Sequence, residues 1–398
     1  MDWKEYSLGE LLDYEQPAKY IVNSTEYNNA YKTPVLTAGK SFIIGYTNEK
    51  DGVFEELPVI IFDDFTTATQ YVNFRFKVKS SAMKILKPKK ELVNPKFIYY
   101  RMQNIQFDHS THKRYWLQHY SKLRVAIPDL IEQQRIVSRI EELFSELDAG
   151  IEELKKIKDK LTIYRQAVLK EAFQGGITSQ KHLELDIKLE WEKDIENLPS
   201  IPKEWRYIKL EHLGELARGK SKHRPRNDKI LFQDGKYPFI QTGEVKAARD
   251  YITESHKFYN DNGLAQSKLW EVGTLCITIA ANIAETAFLG IDACFPDSVV
   301  GFKGSDLVND WYIKYFISSQ KERLWHYAPA TAQKNINLKT LENLVIPYCS
   351  LKEQQIIVDE IDQRCSIFDS VEEVVNIALK KTDILKLSIL KQAFEGRM

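Results

Sequence analysis

The sequence predicts an α+β protein made of two β-rich domains, each followed by a long helix, with the two helices packing on each other. Three observations carry this. Residues 132–175 align without a gap to 353–396, and 16 of those 44 pairs are identical. Both segments carry helix start and stop signals around a seven-residue apolar repeat. The stretches before them are rich in aromatics, glycine, asparagine and β-branched residues, the composition of strands and turns.

A chain of 398 residues suggests two or three domains. The expected order is a first domain at 1–130, a helix at 131–176, a linker at 177–203, a second domain at 204–350 and a second helix at 351–398. Trp3 through Leu8-Gly9-Glu10 resembles Trp205 through Leu210, with Leu213-Gly214-Glu215 just beyond. Leu210–Leu216 reads as helical, and Val59-Ile60-Ile61-Phe62 as a strand. The longest apolar stretch, Thr274–Ile291, is broken by Asn282 and Glu285, so it reads as buried strand rather than a membrane span. The linker is polar and acidic and contains Pro199 and Pro202.

Each helical segment follows an Ile-Pro pair, Ile127-Pro128 and Ile346-Pro347. Asp129-x-x-Glu132 and Ser350-x-x-Glu353 have the spacing of capping boxes, in which the first side chain accepts an orphan N–H and the glutamate reaches back. Gly175 and Gly396 supply the stops. Between these signals, Ile140, Leu147, Leu154, Leu161 and Val168 recur every seven residues. In the second copy the positions are Ile361, Phe368, Val375, Thr382 and Ile389. Four heptads make a coiled-coil seam, and each helix should span about 66 Å at 1.5 Å per residue. An isolated helix this amphipathic needs a partner, and the other copy is available. Packing only on its own domain is the alternative, although globular helices usually stop near about 20 residues.

Lys+Arg and Asp+Glu both number 56, so bulk charge steers the chain toward neither nucleic acid nor membrane. The globular stretches are slightly basic, with 18 basic and 15 acidic residues in 1–130 and 19 and 17 in 204–350. Any phosphate contact must therefore come from local patches. Four cysteines without C-x-x-C spacing disfavour structural zinc and a disulfide scaffold, and fit a reducing cytoplasm. The opening Met1-Asp2-Trp3-Lys4-Glu5 lacks the apolar core of a signal peptide.

Gly214-x-x-x-x-Gly219-Lys220-Ser221 matches the phosphate-loop pattern, which works only between a buried strand and a helix. Here it leads into a basic stretch broken by proline, so nucleotide binding is disfavoured. That stretch suits DNA better. Arg218, Lys220, Lys222, Arg224 and Arg226 place five cations in nine residues, with His223 among them. Such a loop can follow a phosphate backbone or send an arginine to guanine. In the first domain the candidates are Lys40 and His112-Lys113-Arg114, beside Tyr115-Trp116. An ordinary solvated face is the competing reading of any one cluster, and is preferred for the four lysines of Lys84–Lys90. Catalytic signatures are missing. No Pro-Pro dipeptide occurs, which excludes the Asn/Asp-Pro-Pro-aromatic motif of amino-methylating enzymes, and Asp63-Asp64 lacks a plausible downstream Glu-x-Lys partner for a metal nuclease, since Phe74-Arg75-Phe76-Lys77 carries no acid. His109-x-x-His112 stands without further metal ligands in sequence.

Two dissimilar β-rich domains, each followed by a helix opening Ile-Pro…Glu-Gln-Gln…Ile-Val and closing Ala-Phe-x-Gly, resemble the specificity subunits of type I restriction–modification systems. The resemblance covers essentially the whole chain, and the Glu-Gln-Gln-x-Ile-Val tracts at 132–137 and 353–358 are its most specific part. It implies that both domains are target-recognition domains, each reading one half of a split site on double-stranded DNA. It further implies an antiparallel coiled coil with pseudo-two-fold symmetry, which sets the spacing and docks two methyltransferase subunits alongside restriction/translocase subunits. The chain itself would be no enzyme and hold no cofactor, with S-adenosylmethionine, ATP and Mg acting in the partner subunits. Because the two domains differ, the site should be asymmetric. A coiled-coil adaptor with protein-binding ends, and a nucleotide-dependent enzyme resting on the Gly-Lys-Ser loop, are the competing classes.

Overall fold

The two heptad segments fold as the long helices Leu130–Phe173 and Leu351–Phe394, each of 44 residues. Asp129 and Ser350 cap them as expected, accepting from the N–H of Glu132 (2.9 Å) and Glu353 (3.3 Å). The reciprocal half of each capping box is replaced. Glu132 turns to Arg135, whereas Glu353 is buried and accepts from Trp205 Nε1 at 3.0 Å and Thr178 Oγ1 at 2.7 Å. Both helices end in the same way. Gly175 and Gly396 take left-handed φ of 80° and 71°, and the following N–H groups return to Glu171 and Gln392 carbonyls.

The computed structural model describes residues 3–37, 41–105, 115–178, 198–327 and 335–397. It forms two units, Met1–Lys156 with Val375–Met398, and Ile157–Val374, and each long helix is shared between them. In the first unit, Lys4–Ser7 pairs antiparallel with Arg124–Ile127 and brings the start of the domain to the start of its helix. A four-stranded antiparallel sheet runs in the order Leu12–Glu15, Met83–Pro88, Val59–Asp63, Thr69–Val72. A second sheet places Thr33–Leu36 between Ile43–Thr47 and Lys77–Val78. In the second unit, Arg206–Lys209 pairs with Val345–Tyr348 in the same role. Its main sheet has five strands, ordered Gly214–Arg218, Val299–Gly304, Leu275–Thr278, Thr286–Leu289, Tyr251–Ile252.

Three sequence readings change at this point. Leu210–Leu216 is a 3-10 turn at Leu210–His212 followed by the strand Gly214–Arg218. The residues equivalent to Leu8 and Leu11 are Leu210 and Leu213: Leu8 and Leu210 donate to Leu123 and Leu344 carbonyls, while Leu11 and Leu213 carbonyls accept from Lys89 and Ser305. The shared Leu-Gly-Glu letters are therefore three residues out of structural register. Thr274–Ile291 contains two strands, because Asn282 and Glu285 sit in a tight turn where Ala281 and Ala284 adopt φ of 62° and 63°. Lys84–Lys90 is a solvated face only in part, at exposed Lys90 and half-buried Lys89. Lys84 is buried against Asp64 at 3.5 Å, and Lys87 bridges Glu15 and Glu56 at 2.7 Å each.

The repeated Glu-Gln-Gln tract fastens each long helix to the domain before it. Gln133 and Gln354 are fully buried. Gln133 Oε1 accepts the Asn94 N–H at 2.7 Å, and its Nε2 donates to the carbonyls of Leu92 and Pro128. Gln354 accepts the Asn309 N–H at 2.9 Å and donates to Cys349 O. The neighbouring Gln134 and Gln355 each accept from the side chain of the same asparagine at 2.8 Å. Asn94 and Asn309 in turn cap the domain helices Pro95–Gln103 and Asp310–Ser319. The Ala-Phe endings close the other side of each unit. Phe394 packs edge-on to Phe97 at 5.4 Å in the first, and Phe173 packs on Tyr312 and Phe316 at 5.0 and 5.1 Å in the second.

Replacing Gln133 or Gln354 by alanine should cost about 2–4 kcal/mol, because each strands buried backbone groups at about 1–3 kcal/mol apiece. The exposed Gln134→Ala should cost only about 1 kcal/mol. Urea unfolding of the three variants measures this, and equal midpoints would mean that the buried amides do not hold the domains.

Candidate nucleic-acid interface

The basic stretch of the second domain begins where the edge strand Gly214–Arg218 leaves the five-stranded sheet. Gly219 lies against the neighbouring backbone, its N–H donating to Val299 O. A Cβ there would come within 2.3 Å of the Phe295 and Pro296 carbonyl oxygens, so only glycine fits. An irregular loop follows, running to the 3-10 turn Lys229–Leu231. The strand is antiparallel and no helix opens after Ser221, which removes the framework that a phosphate loop requires.

The cations of this loop divide into two groups. Arg218 Nε donates to Asp297 O at 2.9 Å, and Arg226 pairs with the Asp297 carboxylate at 2.7 Å. Arg224 turns inward to the carbonyls of Ser221 (2.6 Å) and His223 (2.8 Å). His223 Nε2 lies 2.9 Å from Asp228 and holds that carboxyl below the usual carboxylate range. Gln266 Oε1 accepts the N–H groups of Lys222 and His223, while Ser267 Oγ donates to Lys220 O. Lys220 and Lys222 are exposed, and their ammonium groups have no partner among the described residues. The loop is thus a braced frame presenting two free lysines.

The first-domain candidates Lys40, His112, Lys113 and Arg114 lie outside the described residues. Asp63 and Asp64 serve the hairpin: Asp63 Oδ1 accepts the Phe65 N–H, and Asp64 accepts the Trp116 N–H at 2.8 Å while facing Lys84. Along the helices, Ile140, Leu161, Val168, Ile361, Val375 and Thr382 are buried, and Leu147, Leu154, Phe368 and Ile389 are half-buried. Sequence reading missed Asn94 and Asn309. The signal was present in the repeated pattern Asn94-Pro-Lys-Phe-Ile-Tyr-Tyr and Asn309-Asp-Trp-Tyr-Ile-Lys-Tyr.

The type I restriction modification DNA specificity domain family matches residues 1–159 and 202–381. The chain is 31% identical over 393 residues to the EcoR124I/EcoR124II specificity subunit of Escherichia coli, spanning 92% of this chain and 87% of that protein. Identity to the Escherichia coli EcoDI specificity subunit is 24%, across 100% of this chain and 89% of the relative. Among solved structures, a chain described under complex assembly and conformational transition of the type I R-M system matches with a TM-score of 0.69 at 18% identity, covering 100% of this chain and 98% of its own. The HsdS subunit from Thermoanaerobacter tengcongensis gives 0.55 at 18% identity, covering 100% and 97%. These two likenesses concern the fold, whereas the family follows from the sequence matches. The chain belongs to the family of type I restriction–modification specificity subunits.

Proposed function

We propose that this chain is the non-catalytic, DNA-reading subunit of a type I restriction–modification complex. Its domains at 1–130 and 204–350 each read one half of a split, asymmetric site on double-stranded DNA. Two methyltransferase subunits, and restriction/translocase subunits with them, supply the chemistry together with S-adenosylmethionine, ATP and Mg, and the chain acts in the cytoplasm. No helix among the described residues is long and apolar enough to cross a membrane. The observation that carries the reading is the repeated construction: one glutamine clamp and one Ala-Phe closure are built twice, around two sheets of different strand order. A scaffold of that kind holds two unlike readers in like settings.

We further read the long helices as an antiparallel coiled coil with pseudo-two-fold symmetry. Within the second unit, partners descend one helix as they ascend the other: Lys158 with Glu372, Arg165 with Asp369, and Glu171 with Arg364. Tyr164 stacks near Phe368 at 6.4 Å in the same register. Within the first unit, Lys386 pairs with Asp148 at 2.8 Å. Two reading domains on a rigid rod would touch two base clusters separated by an unread gap.

The purified chain should neither methylate nor cut DNA, and should direct methylation of a bipartite motif only together with a methyltransferase subunit. Methylome sequencing with and without the chain tests this, and methyl transfer by the chain alone would sink it. Val375→Asp should destabilise the helix pair by several kcal/mol, since an unpaired buried carboxylate has no compensating partner. A melting curve like the parent's would argue against the seam. Inserting four residues near Lys155–Lys158 adds close to one turn, about 6 Å. With DNA rising about 3.4 Å per base pair, the unread gap should lengthen by about one or two base pairs with unchanged half-sites. Methylation at the original spacing would show that the helices are not the ruler.

A further inference from the structure

We propose that the second half-site is read in the cleft beside the braced loop, with Asn227 and Gln241 contacting base edges and Lys220 and Lys222 contacting phosphate. This rests on the DNA-reading role proposed above and assigns it to particular atoms. The cleft encloses about 200 Å³. Asn227, Gln241, Thr242, Lys257 and Ser298 line it, over a floor that includes the buried ring of Phe239. Phe239 is fixed from below by Tyr259, 4.2 Å away between ring centroids. Arg226 and Lys257 border the cleft, Arg226 with its charge paired to Asp297 and Lys257 with no carboxylate among the lining residues. An anionic ligand with mixed donors and acceptors on a flat edge fits that lining, which is the description of a nucleotide in a duplex.

The loop's internal bonds decide which side chains are available to read. Arg218, Arg224 and Arg226 are held by carbonyls and by Asp297, and His223 is held by Asp228. Reaching DNA with any of them would break contacts that shape the loop. Asn227 is exposed and has no hydrogen-bond partner among the described residues. Its carboxamide offers a donor beside an acceptor, the pattern that matches the N6 and N7 atoms of adenine in the major groove. Lysine is a flexible point charge without an acceptor, suited to phosphate and poor at distinguishing bases. Since the frame is already braced, little loop ordering is needed on binding. The predicted base under Asn227 is therefore an adenine in the second half-site.

The test uses the full chain in its complex with the methyltransferase subunits, comparing methylated motifs for the parent, Asn227→Ala, Asn227→Asp, Gln241→Ala and Lys220→Ala/Lys222→Ala. Asn227→Asp keeps the shape and loses the amide donor, so it guards against misfolding as an explanation. Both Asn227 variants should lose discrimination about 10- to 100-fold at one A·T position of the second half-site, leaving the first half-site unchanged. Gln241→Ala should relax a neighbouring position. The double lysine variant should keep the motif, weaken binding to all sequences alike, and lower the salt slope by about one per lysine. An unaltered motif in both Asn227 variants, or a change confined to the first half-site, would overturn the assignment. If the parent complex itself methylates no bipartite motif, the DNA-reading role fails instead, so the two failures are distinguishable.

Discussion

Everything in this chain hangs on two buried amides. Gln133 and Gln354 sit in the first turn of their helices with no exposed surface, where an unsatisfied carboxamide would be costly. Each is satisfied by backbone groups of the preceding domain and of the Pro-containing entry to the helix. A hydrophobic contact could slide or rotate at small cost. These bonds specify both direction and distance, so the domain has one seat on its helix. The flanking Ile136-Val137 and Ile357-Val358 pairs then add apolar burial to a geometry already fixed.

Separating the seat from the sheet leaves the sheets free to diverge. The first domain divides its strands between sheets of four and three, whereas the main sheet of the second has five, with a parallel pair at one edge. Both nevertheless end in the same ribbon, the same capped helix and the same asparagine. Even within the seat the copies differ at one point: Glu132 faces Arg135 at the surface, while Glu353 is drawn inside by Trp205 and Thr178.

What the sequence disclosed was whatever is periodic or duplicated. The heptads, the terminal glycines and the Glu-Gln-Gln tracts are local or repeated, and the elements they mark formed where expected. What it concealed were pairings between residues far apart in the chain. Lys84 looks like one of several surface lysines until Asp64 is placed beside it across the sheet. The arginines of the basic loop read as free charge because Asp297, which engages Arg218 and Arg226, lies more than seventy residues later. Asn94 and Asn309 are legible only by setting the two copies side by side, since asparagine caps are common and their glutamine partners are 39 and 45 residues away. Charge density along a chain thus does not separate engaged arginines from free lysines.

The exchange of helix ends has a consequence for how the protein is made. Residues 157–374 form one unit from a single continuous stretch, so its core can close while the ribosome is still at work. The other unit cannot. Leu390, Ala393 and Phe394 belong to the core around Phe97, and they are separated from it by the whole intervening unit. Until Leu390, Ala393 and Phe394 arrive, the core around Phe97 is incomplete, and completing it closes a loop of more than two hundred residues. The core that starts earlier along the chain is thus completed only after every residue of the other unit has been made.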